Sequence, residues 1–64
     1  MLDDEVYDIM EQLVEESKSL YEIKNHYKED SNKCTDCLDI WKKLENQKEK
    51  NIEELEKILR EHLK

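Results

Sequence analysis

Apolar residues recur along this chain at helical spacing in two stretches, separated by a short polar run. In the first stretch Val6, Ile9, Leu13, Leu20, Ile23 and Tyr27 alternate three and four residues apart, with a gap at Glu16. That spacing keeps one face of a helix apolar and predicts an amphipathic helix over residues 3–29. Met10 is expected to broaden the stripe on one side, Val14 and Tyr21 on the other. The second stretch carries Cys37, Leu38, Trp41, Leu44, Ile52, Leu55, Ile58, Leu59 and Leu63, which predicts a second helix over residues 33–63. Lys48 and Asn51 interrupt its stripe. Glu53–Lys57 and Glu56–Arg60 have the i,i+4 spacing that pairs charges on an exposed helix face.

Between the stretches, residues 30–36 read Asp-Ser-Asn-Lys-Cys-Thr-Asp, a run of poor helix formers. Their side chains compete for backbone hydrogen bonds and favour turns and caps. A turn is therefore expected over residues 30–33. Asn32 is the candidate for a left-handed conformation, and Ser31 or Thr35 for the cap of the second helix. At the other end Asp3 or Asp4 is the expected N-cap, with Leu2 positioned to pack on Tyr7 as a hydrophobic staple. Lys24, His26 and Lys28 suit the negative end of the first helix.

A continuous coiled coil competes with the hairpin. Counting in sevens from Val6 reaches Leu13, Leu20, Tyr27, Cys34, Trp41, Lys48 and Leu55 without a slip. Two features favour the hairpin. The apolar faces are wider than a two-residue seam, as bundle helices are, and the weak-helix run falls in mid-chain. Folded about Ser31, the hairpin brings Glu16 and Ser17 level with Lys48 and near Asn51. Long Glu and Lys stems that keep their charged heads in water are the expected arrangement there, with a buried polar layer as the alternative.

Composition narrows the fold class further. The 64 residues include no Gly, Pro, Phe or Ala, and 31 of them are Glu, Lys, Leu or Arg. That is the balance of long helices, and it leaves little from which to build tight strand turns. The expectation is an all-α single domain, residues 1–64, folded as an antiparallel helical hairpin. Two helices of this length bury only one stripe each, so the surplus apolar width points to a homodimer forming a four-helix bundle.

Charge is divided unevenly. Residues 1–30 carry ten acidic residues against Lys18, Lys24 and Lys28, while residues 31–64 are balanced, so the whole net charge of −7 sits on the first helix. Such a surface repels phosphate, and neither nucleic acid nor an anionic membrane is an expected partner. A protein with a basic surface is. An acidic N-terminus and the lack of a long apolar run lead to an expected cytoplasmic location.

Cys34-Thr35-Asp36-Cys37 is the sharpest chemical feature. Two thiols at i,i+3 near a helix start supply half of a zinc site, and His26 across the turn is a third candidate ligand. A second chain would complete the set, either with its own cysteines or with His62. The arrangement resembles the zinc hook of SMC-like DNA-repair ATPases, in which a CxxC lies at the apex of an antiparallel coiled coil. The likeness covers Cys34, Cys37 and the hairpin alone, and Thr35-Asp36 stands where that family typically carries a Pro. Thiol–disulfide exchange, a structural disulfide and simple packing of both cysteines are the other readings. No Glu-x-x-His, phosphate loop or nucleophile–base pattern occurs, and an enzyme is not expected.

The functional expectation is a non-enzymatic protein–protein interaction module, a small acidic adaptor or regulatory subunit without a cofactor. Leu13, Leu20, Tyr27, Leu38, Trp41, Leu44, Ile52, Leu55 and Leu59 are its expected partner-binding residues. The alternative is a small zinc-binding protein with Cys34, Cys37 and His26 as ligands.

Overall fold

In a computed structural model that describes residues 3–63, the chain is all-helical. The first arm comprises α1 (Asp4–Glu22), a single π-helical turn (Ile23–Tyr27) and α2 (Lys28–Asp30). The second arm is α3 (Thr35–His62). At 1.5 Å per residue, one continuous helix over residues 4–62 would extend about 90 Å. The longest axis measures 48 Å, and α1 packs along α3, so the arms form a hairpin.

Local chemistry explains each boundary. Asp3 is the N-cap of α1 by its extended backbone, and its carbonyl accepts from the Tyr7 N–H at 3.0 Å. Its carboxylate makes no capping bond; Asp4 and Glu5 nonetheless place negative charge at the positive end of the dipole. The expected contact of Leu2 with Tyr7 lies outside the described residues.

The turn spans residues 31–34, one position later than the sequence predicts, because Asp30 stays helical and Cys34 takes the cap. No described residue has positive φ, so Asn32 does not adopt the left-handed conformation expected of it. Two tight i,i−3 bonds turn the chain instead: Asn32 N–H donates to the Glu29 carbonyl at 3.3 Å, and Cys34 N–H to the Ser31 carbonyl at 2.9 Å. Neither Ser31 nor Thr35 caps α3. Cys34 does, its sulfur accepting from the Cys37 N–H at 3.2 Å.

The π turn is the main departure from a regular hairpin. Lys28 N–H donates to the Ile23 carbonyl, five residues back, and Asn25 Nδ2 donates to the Tyr21 carbonyl at 2.8 Å. One extra residue in a turn rotates the downstream end of the arm by roughly one helical step. Tyr27, which the count of sevens assigns to the seam, is 39% exposed, its ring 4.9 Å from that of Trp41.

Val6 and Ile23 are the fully buried apolar residues of the described chain. The accessible surface is 5235 Å². A compact monomer of this mass exposes about 4,400 Å². The radius of gyration, 14.5 Å, likewise exceeds the ~11 Å of a compact chain of this length. Two helices side by side make one layer, and its outer faces stay wet.

Candidate functional site: an open apolar strip on the first arm

The expected partner-binding residues mostly face the other arm. Leu13, Leu20, Leu38, Trp41, Leu44, Ile52, Leu55 and Leu59 are half-buried along the hairpin. Trp41 anchors the tip: its ring lies 4.9 Å from that of Tyr27, and its Nε1–H donates to Ser31 Oγ at 3.1 Å. These side chains hold the arms together.

The seam also carries two polar clusters. At mid-length Glu16 accepts from Lys48 Nζ at 3.3 Å and from Asn51 Nδ2 at 3.2 Å, while Gln12 Nε2 lies 3.4 Å from it along the same helix. The Glu16 side chain is 13% exposed and that of Lys48 22%. The charged heads therefore meet in the seam instead of standing in water, because the hairpin register brings donors and acceptor level. Ser17 stays out of this layer and bonds back to the Leu13 carbonyl at 2.8 Å. Nearer the tip, Lys24 reaches Glu49 at 3.1 Å and Glu45 at 3.9 Å, and Lys28 also pairs with Glu45. On the outer face of α3 Glu56 and Arg60 approach to 3.9 Å.

Apolar surface remains uncovered elsewhere. Tyr7, Met10, Val14 and Tyr21 on α1 are 57%, 40%, 51% and 58% exposed. At roughly 100° per residue all four project within about 60° of one another, with Ser17 beside them. Met10, Val14 and Tyr21 thus share one flank of the helix, where the simple stripe reading placed Met10 opposite the other two. Two open hollows run along this flank: Tyr7, Met10, Glu11 and Val14 line one, and Leu13, Val14, Ser17, Lys18, Tyr21 and Glu22 line the next. Val14 belongs to both, so the strip is continuous over four helical turns, about 21 Å.

Glu11, Lys18 and Glu22 are the charged residues among its lining. Helix α1 carries seven acidic residues and one base, Lys18, whose ammonium already lies 3.9 Å from Glu15. The sequence signal for the strip was the second set of three- and four-residue spacings, Tyr7–Met10–Val14–Ser17–Tyr21, running beside the first.

Cys34 and Cys37 lie at disulfide distance, with their Cα atoms 5.2 Å apart. His26 sits on its own helix against Tyr21, ring centroids 6.1 Å apart, with Nε2 3.9 Å from Glu22. Among the described residues no three His, Cys, Asp or Glu side chains converge as a metal-binding group.

No described helix is long and apolar enough to cross a membrane. No family model matches the chain, and comparison with curated proteins and with solved structures finds no similar one.

Proposed function

We propose that this chain is a non-enzymatic protein–protein interaction module that docks a further helix on the apolar strip of its first arm. The observation that carries this reading is the alignment of Tyr7, Met10, Val14 and Tyr21, all 40% exposed or more, along two confluent hollows. A helix laid in that groove covers what the second arm leaves open and turns a one-layer hairpin into a bundle. The surface excess of about 800 Å² over a compact monomer is the share that one partner contributes to a standard interface. Tyr and Met are residue types that interfaces favour. A second hairpin docked there closes a four-helix bundle, and a single foreign helix closes a three-helix one.

Val14→Asp tests the reading, because Val14 lies in both hollows and is half exposed. Sedimentation velocity of the protein alone, and mixed with amphipathic helical peptides, reads the association. Loss of association in the variant, with helicity and melting temperature unchanged, is the expected result. A monomer that binds no peptide, or association indifferent to Val14→Asp, contradicts it.

A further inference from the structure

We infer that the occupant of the strip is an amphipathic helix whose apolar stripe is edged with Lys or Arg, and not a second copy of this chain. The inference rests on the docking reading above and adds the partner's chemistry.

The charge of α1 decides between the two occupants. Glu11, Glu22 and Lys18 line the hollows themselves, and Asp4, Glu5, Asp8 and Glu15 lie elsewhere on the same helix. Lys18, the one base of α1, is engaged by Glu15 at 3.9 Å. In a symmetric dimer the same patch meets itself. Two helices of net charge −6 each, seven acids against one base, would then lie side by side. Like charges juxtaposed across an interface disfavour the wrong partner by more than a marginal apolar contact returns. Glu16, by contrast, is neutralised from within, by Lys48 across the seam. The remaining bases of the first arm are likewise engaged, Lys24 and Lys28 with Glu45 and Glu49. Lys18 is the one positive charge among the residues lining the strip, against Glu11 and Glu22, and a basic-edged helix complements that negative excess.

Length and shape fit the same occupant. The strip runs from Tyr7 to Tyr21, four turns, and so takes a partner stripe of four turns. Ser17 lies within its length, where a small side chain lets a partner backbone approach. Tyr7 and Tyr21 stand near the two ends, aromatic side chains of the kind on which cations of a partner's edge pack.

The probe is a capped peptide of about 21 residues with Leu and Ala in the apolar stripe and Lys at the flanking positions. A second peptide carries Glu at those positions. Isothermal titration is run at about 50 mM and about 500 mM NaCl, against the intact protein and against Val14→Asp. The expected result is one-to-one binding of the Lys-edged peptide, at least tenfold tighter than the Glu-edged one. It weakens about tenfold at high salt, where the screening length falls to a few ångströms, and is lost in Val14→Asp. Equal binding of both peptides overturns the charge inference while leaving the docking reading standing. A protein that is dimeric before any peptide is added, and monomeric as Val14→Asp, shows the occupant to be a second copy and also overturns it. Binding of neither peptide by a monomer overturns both readings together.

Discussion

Glu16 and Lys48, thirty-two positions apart in the chain, meet in the middle of the seam at 3.3 Å. The contact exists only if the chain folds back about the turn, and only in this register. Asn51, one turn further along α3, bonds the second carboxylate oxygen at 3.2 Å. Partly buried polar groups of this kind add little net stability but penalise slipped registers, which strand a charge without its partner.

A double-mutant cycle on this pair is expected to give a coupling of about 1 kcal/mol, since both side chains are mostly withdrawn from water. Glu16→Ala alone should cost about 1–2 kcal/mol, because Lys48 and Asn51 lose their acceptor. Replacing both Glu16 and Lys48 by Leu should leave the melting temperature unchanged or raised. A double variant that melts well below Glu16→Ala would show that the layer stabilises outright.

Trp41 is the largest contact at the tip. Trp41→Phe keeps an aromatic ring beside Tyr27 but removes the bond to Ser31, for an expected loss of about 1 kcal/mol. Trp41→Ala should cost about 3 kcal/mol or more. A helical pair of this size holds roughly 3–5 kcal/mol in all, so that variant should be largely unfolded at 37 °C by circular dichroism.

The π turn makes an unusual prediction about deletions. It accommodates one residue more than an α-turn, so removing Asn25 restores a regular helix and leaves Tyr27 and Lys28 in phase with α3. The deletion is expected to be tolerated, with little change in melting temperature. Deleting Leu13, ten residues before the π turn, puts the stretch up to Ile23 about 100° out of phase with α3 and should unfold the hairpin. Equal damage from both deletions would show that the π turn is not a phase adjustment.

The two arms and their length were legible in the spacing of apolar residues, and their antiparallel sense in the width of the apolar faces and the weak-helix run between them. So was the level placement of Glu16, Lys48 and Asn51. Their mutual contact was not, because position along a seam does not say whether long side chains turn inward or snorkel. The cap at Cys34 was hidden for a different reason: Ser and Thr cap helices far more often than a sulfur does, and both stood within three residues of it. Nothing in Ile23-Lys24-Asn25-His26-Tyr27 marks a π turn by composition, so the exposure of Tyr27 and the crossing of Lys24 and Lys28 to α3 escaped a count of sevens. The candidate docking strip was half visible. Its members were recognised as extra apolar width, but their common flank was missed by reading each residue against the main stripe alone.

The cap at Cys34 can be separated from the cysteine pairing. Cys34→Ser supplies an oxygen acceptor for the Cys37 N–H and should melt within about 0.5 kcal/mol of Cys34 in its reduced form, whereas Cys34→Ala should lose about 1 kcal/mol. Replacing both cysteines by Ser should leave helicity and partner binding intact. Loss of an oligomer in that double variant, or zinc in stoichiometric amount by native mass spectrometry of protein prepared without chelator, would instead place a metal at the tip.

The most direct test of the docking surface is residue-by-residue mapping. When isotopically labelled protein is titrated with the Lys-edged helical peptide, the amide shifts of Tyr7, Met10, Val14, Ser17 and Tyr21 are expected to move together and saturate at one equivalent. The amides of α3 beyond its Lys48–Asn51 contact with Glu16 should stay in place. Shifts confined to α3 or the turn, or a spectrum unchanged by saturating peptide, would contradict the claim that the first arm's open strip is where this protein receives its partner.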